Sequence, residues 1–186
     1  LSEQGEHSLL GRQLAWWREQ LAGLPEAIRL PVDREARPDT ERTLPAGGRV
    51  QFELPPDLHE GLLRLAQQQR ASLFMVLQAG LVALLHRLGA GDDIPIGVPV
   101  AGRTAPALDE LVGFFVNTLV LRISTAGDPD FTTLLSRTRQ VALDAYGHQD
   151  LPFERLVEAL APPRVTGRQP LFQTMLVLHN EDPVQA

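Results

Sequence analysis

Few side chains in this 186-residue sequence combine a reactive type with a setting that could use it. Asn117 and Thr118 interrupt an apolar run, Val112-Gly113-Phe114-Phe115-Val116-Asn117-Thr118-Leu119-Val120-Leu121, which closes on Arg122. Asn is a poor strand former, and a buried amide needs partners for its two donors and its acceptor oxygen. Two uses fit: a structural Asn bonded to a neighbouring loop, or an amide lining a substrate channel. Further along lies His148-Gln149-Asp150-Leu151-Pro152-Phe153-Glu154. An imidazole titrates where general acid–base catalysis needs it, yet a lone loop histidine also serves as a hydrogen-bonding or surface group. Asp150, Pro152 and Glu154 suit a helix start: Asp150 as N-cap, Pro152 in the first turn, Glu154 near the positive end of the helix dipole. Arg164 and Arg168 flank Gly167 ahead of another apolar run. They read as a solvated loop or as a bidentate tie to a carboxylate.

Other chemistries are excluded by residue type. There is no cysteine, so disulfides, thiolate ligands and a cysteine nucleophile are absent. Every basic residue is Arg, which removes Schiff-base chemistry and a P-loop lysine. His7, His59, His86 and His179 show no ligand spacing, and no metal site is inferred. Asp92-Asp93 and Asp109-Glu110 read as turn or cap residues. Neither a nucleophile elbow nor a glycine-rich phosphate loop is present. The formal charge of −6 gives no support for nucleic-acid binding. The apolar stretch Leu73–Leu85 is too short for a membrane span. The lack of cysteine fits a reducing cytoplasm. The chain opens on Leu1 without a signal pattern, as a fragment of a longer polypeptide would.

The elements that must position these residues follow from hydrophobic periodicity. Leu10, Leu14, Trp17 and Leu21 predict an amphipathic helix over 8–22, ended by Gly23 and Pro25. Residues 25–48 read as an irregular connector. Val50, Phe52 and Leu54 alternate with polar residues and predict a half-buried strand. Pro55-Pro56-Asp57 opens a helix, and Ser72 caps a second, nearly all-apolar one that Gly89 closes. Pro95 and Pro99 place the 94–100 strand at an edge or a bulge. Residues 114–123 predict a strand buried on both faces. Asp128-Pro129 starts another helix, and Gly147 ends it at C′. A short helix from Pro152 to Leu160 and a strand from Leu171 to Leu178 follow. Helices interleaved with strands give one α/β unit, a mixed sheet with helices packed on it.

Several of these segments together resemble the condensation domains of nonribosomal peptide synthetases. Val112–Arg122 is similar to the family's Phe-Val-Asn-Thr motif and His148–Glu154 to its His-Gln-Asp motif. Arg164–Leu171 resembles the closing Arg-rich motif loosely, with Val165 and Gly167 departing from it. Leu14–Leu21, Leu30–Arg34 and Gly97–Arg103 also look like the family. The resemblance implies a chloramphenicol-acetyltransferase-like α/β sandwich lobe. It makes residues 1–186 a partial domain, the downstream lobe, without the lobe that carries the catalytic HHxxxDG motif and without the last strand and helix. It places Asn117, Thr118, Gly113 and Arg103 at the channel or the inter-lobe contact. His148, Gln149, Asp150, Pro152, Glu154, Arg164 and Arg168 become structural motif residues, and no residue inherits the catalytic role. The implied partners are the upstream lobe and donor and acceptor carrier proteins with phosphopantetheine arms. No directly bound cofactor, nucleic acid or membrane is implied, and exposed apolar surface should favour self-association. The implied activity is amide-bond formation between carrier-bound thioesters. The alternatives are a non-catalytic docking module for a carrier protein or partner enzyme, and an acyltransferase acting on free coenzyme A thioesters.

Overall fold

The computed structural model describes residues 8–31, 47–102, 110–113, 115–163, 165 and 168–179. In chain order the elements are α1 (Leu9–Gln20), α2 (Pro56–Gln68), α3 (Leu73–Arg87), β1 (Asp93–Ala101), β2 (Val116–Ser124), α4 (Phe131–Tyr146), α5 (Phe153–Leu160) and β3 (Thr174–Met175). The sheet runs β2-β1-β3, with β1 antiparallel to β2 and parallel to β3. It is therefore mixed, as the interleaved pattern predicts.

The core forms where β-branched and leucine side chains from β1 and β2 meet α3 and α4. Ile94, Ile96, Leu119, Leu121 and Ile123 are fully buried, as are Val76 and Val82 from α3 and Leu135 from α4. Each such side chain contributes roughly 1.5–3 kcal/mol by leaving water. The Ser72 hydroxyl caps α3 by accepting from the Met75 N–H at 3.2 Å, as its sequence position predicts. Gly89 follows that helix at φ +91°, where an L side chain would be strained.

Five details depart from the sequence reading. Residues 50–54 form no strand, and Val50 and Phe52 stand in solvent. The strand containing Pro95 and Pro99 is central rather than at an edge. Gly97 turns its carbonyl toward the Leu176 N–H at 3.0 Å. Residues two apart face the same neighbour, so both prolines direct their missing N–H toward short β3, and the β2 ladder stays unbroken. The strand predicted over 114–123 begins at Val116 and is buried only from Leu119. The cap of α4 is Asp130, whose carboxylate accepts from the Thr133 N–H at 2.7 Å, and Gly147 ends that helix in the right-handed region. The strand predicted over 171–178 shrinks to Thr174–Met175, the two residues that pair with Ile96 and Gly97 of β1.

Candidate functional site

The motif residues meet at one seam, where α1, the start of β2 and the loop into α5 converge. The side chain of Asn117 makes three of its four bonds across that seam. Its Nδ2 donates to the carbonyls of Gln149 (2.8 Å) and Leu151 (2.9 Å). Its Oδ1 accepts from the N–H of Thr118 (2.8 Å) and of Phe153 (3.0 Å). Phe153 is the first residue of α5, and the helix N-cap position, Pro152, has no side chain able to cap. Asn117 therefore caps α5 from another element. This corrects the expectation that Asp150 is the N-cap and that Pro152 lies within the first turn. Glu154 is in that turn, as its sequence position predicts.

Asp150 points instead to α1. Its Oδ2 accepts from Gln13 Nε2 at 2.8 Å, while Gln13 Oε1 accepts from the Leu151 N–H at 2.8 Å. One buried amide thus holds both a side chain and a backbone group of the loop. Trp17, also buried, donates its indole N–H to the His148 carbonyl at 2.9 Å. The His148 ring lies on Trp16, with centroids 4.0 Å apart and planes 2° from parallel. Its Nδ1 is 2.8 Å from the Asp144 carbonyl, a contact that requires Nδ1 to carry a proton and donate. The Gln149 carbonyl is one of Asn117's acceptors, so each residue of His148-Gln149-Asp150 is tied to another element.

Arg122 fastens the other end of β2. Its Nε and Nη2 grip Asp93 at 2.9 and 2.7 Å, in the planar geometry that a guanidinium offers a carboxylate. Nη1 donates to the carbonyls of Gln20 (3.1 Å) and Ala22 (2.8 Å), which the end of α1 leaves without helical partners. The bond to Asp93 holds the guanidinium pKa above its ordinary value, with burial working the other way. So α1 is held at its middle by the 148–151 loop and at its end by Arg122.

Phe172 completes the seam. Its ring packs on Phe153 at 5.8 Å and lies directly over Gly97 in β1, where a Cβ would enter the ring. Only glycine leaves that space. Gly113 and Thr118 sit near the start of β2, Gly113 exposed and Thr118 half-buried opposite Pro99. Arg103 and Arg164 lie outside the described residues. Arg168 is exposed and makes no ion pair among the described residues. With Glu154 it lines a cleft of ≈ 1060 Å³ whose floor includes Leu24, Phe153, Val157 and Leu171. The sequence reading did not single out Gln13, Asp93 or Arg122 as site residues. Gln13 had a signal: it lies within the apolar stripe of α1, one turn before Trp17.

The seam fastens; among the described residues it contains no base–nucleophile pair. His86, the other histidine with close partners, presents the same Nδ1 to Asp92 (3.2 Å) and Thr125 (3.0 Å). A relay needs opposite ring nitrogens, so this cluster ties the end of α3 to the turn before β1. Among the described residues no group of His and acidic side chains could hold a metal ion, and no single helix is long and apolar enough to cross a membrane.

Comparison with known proteins gives this arrangement a family. A condensation-domain model matches residues 2–185. The chain is 57% identical over 178 residues to the probable non-canonical nonribosomal peptide synthetase CymA of Salinispora arenicola, covering 96% of this chain and 2% of that protein. It is 53% identical over 181 residues to a dimodular nonribosomal peptide synthase of Bacillus subtilis, covering 96% and 7%. Among solved structures, the X-domain from teicoplanin biosynthesis matches with a TM-score of 0.84 at 32% identity, over 93% of this chain and 38% of that one. The same domain has been solved in complex with OxyB. A four-domain nonribosomal peptide synthetase bound to AMP and glycine matches with a TM-score of 0.86 at 25% identity, over 97% of this chain and 14% of that one. The chain thus spans a small part of each curated relative's length.

Proposed function

This chain belongs to the condensation-domain family, and we propose that it is the downstream lobe of a domain that forms amide bonds between carrier-bound substrates. Its α/β fold is the chloramphenicol-acetyltransferase-like fold of that family. The observation that carries the proposal is the seam itself. The two motifs most like the family's, on β2 and on the loop into α5, meet through three hydrogen bonds of one side chain.

In the reaction proposed, the acceptor's α-amino nitrogen attacks the carbonyl of the donor thioester. A C–N bond forms, the C–S bond breaks, and the thiol of the donor's phosphopantetheine arm leaves with the proton that the nitrogen loses. The upstream lobe would move that proton through its HHxxxDG histidine. This lobe would supply a wall fixed relative to both arms, since holding two reactants in place accounts for much of the rate gain in such a transfer. Thr118, Gly113 and Arg103 would face the channel or the other lobe, with Asn117 holding the wall's loop in place. The phosphopantetheine arms would come with the carrier proteins, so the lobe itself would bind no cofactor.

A second reading, a docking module that holds a partner enzyme without catalysis, is favoured by the likeness to a domain solved together with OxyB. The test is reconstitution. This chain is mixed with its separately expressed upstream lobe and both loaded carrier proteins, and dipeptidyl thioester is followed by mass spectrometry. Product only when both lobes are present is the expected result. Lobe association and carrier binding without product would favour the docking module.

A further inference from the structure

Both backbone groups of Leu151 are held by side chains, and the two side chains come from different elements. Its N–H donates to Gln13 Oε1 of α1 at 2.8 Å, and its carbonyl accepts from Asn117 Nδ2 of β2 at 2.9 Å. Leu151 is buried, so a partner lost there is costly. This one residue joins α1 to the strand that carries Thr118. Gln13 can serve it in one orientation only. An amide turned over would present its NH2 to the Leu151 N–H, donor against donor. Asp150 sets the orientation. A carboxylate only accepts, and its Oδ2 takes Gln13 Nε2 at 2.8 Å, which leaves Oε1 for Leu151. Asp150 is exposed and makes no ion pair among the described residues, so this bond is not the by-product of a salt bridge.

We propose that Gln13 is a positioning residue of the amide-bond-forming reaction, acting through Leu151 and Asn117 on the channel wall, and that Asp150 serves it by fixing which end of its amide meets the loop. This rests on the reading of the chain as one lobe of a catalytic condensation domain. Gln13 is presented from a helix whose end is fastened by Arg122, so the loop is held against a fixed support. A shift of the loop passes to Asn117 through the carbonyls of Gln149 and Leu151, and from Asn117 to its neighbour Thr118. Displacing reacting groups by about 1 Å can cost about a hundredfold in rate, so a small movement of this wall is enough to register.

The test is a double-mutant cycle in the intact parent domain, with dipeptidyl thioester formation followed on both loaded carriers. Gln13→Glu keeps an acceptor for Leu151 but sets a second carboxylate against Asp150. It should lower kcat by about tenfold while KM for the carriers stays within about twofold. Asp150→Asn frees the Gln13 amide to turn over and should lower kcat by less. Combining the two substitutions restores the pattern, because the new amide at 150 donates to the new carboxylate at 13. The double variant should return kcat to within about threefold of wild type. Protection of the Leu151 amide from hydrogen exchange should fall and recover in the same order. Losses that simply add in the double variant would overturn the proposal. So would a Gln13→Glu domain that unfolds at lower urea yet keeps its kcat while folded, since Gln13 would then serve the fold alone. Asp150→Asn alters an exposed residue and tests the same point without disturbing the buried amide's packing; an unchanged kcat there would equally count against the proposal. A wild-type domain that makes no dipeptide would sink the catalytic reading and this proposal with it. One that makes dipeptide at a rate indifferent to Gln13 would sink this proposal alone.

Discussion

Asn117 and Gln13 at the seam and Gln78 in α3 carry the same amide group under opposite treatment. At the seam, Asn117 makes four hydrogen bonds and Gln13 two, joining residues up to 138 positions apart. In α3, Gln78 is fully buried and, among the described residues, neither polar atom of its side chain has a partner. A buried polar group left unpaired costs about 1–3 kcal/mol, whereas a satisfied one is roughly neutral to mildly stabilising. The difference teaches what the seam amides are for. The loop 148–152 lies between helices and has no ladder of its own, so its backbone groups are held by side chains reaching from α1 and β2. An unpaired amide fixes nothing; a paired one sets where a loop sits.

The largest effect should come from breaking the paired side. Asn117→Ala strands two carbonyls and the first N–H of α5, and should lower unfolding free energy by about 3 kcal/mol, read by urea titration. A loss below a few tenths of a kcal/mol would mean that water replaces the amide at no cost. Next is Gly97→Ala, which drives a methyl into the Phe172 ring; overpacking of this kind costs about 1–3 kcal/mol. It should also change the near-ultraviolet signal as Phe172 leaves Phe153. On the unpaired side the sign reverses. Gln78→Met keeps the volume and removes the orphaned amide, so thermal unfolding should rise by an amount corresponding to about 1 kcal/mol. A fall would show that Gln78 has a partner after all.

The smallest effect is electrostatic and lies away from all three amides, at the start of α4. The Thr133 N–H bonds the Asp130 carboxylate and lowers its pKa below the usual value. A depressed carboxylate stabilises above its unfolded pKa and loses that contribution as pH falls through the folded value. Stability should therefore decline in acid below about pH 4, the unperturbed carboxylate range. Asp130→Asn should remove this part of the decline without affecting the seam.

Most of the elements were legible because periodicity is local: Leu10, Trp17 and Leu21 mark α1, and Ser72 marks the start of α3. The residue types of the seam were legible too, since an Asn amid Phe, Val and Leu advertises itself. Its partners were not. Gln13 and Leu151 are brought together only by the packing of α1, and Asp150 looked like a cap because nothing local shows that Asn117 caps α5 instead. The central place of β1 was hidden for a similar reason. Prolines argue for an edge unless their parity relative to the neighbouring strands is known. Val50, Phe52 and Leu54 show the converse: the alternation is real, but a pattern cannot form a ladder without a second strand.

The most direct measurement is amide exchange at Leu151 and Phe153 in the parent domain, wild type against Asn117→Ala, alongside the rate of dipeptide formation with saturating loaded carriers. If Asn117 acts by fastening the loop, protection at Leu151 and Phe153 should fall and the rate should fall with it. A lost rate with protection unchanged at both amides would contradict the account, since Asn117 would then act on substrate rather than on the fold.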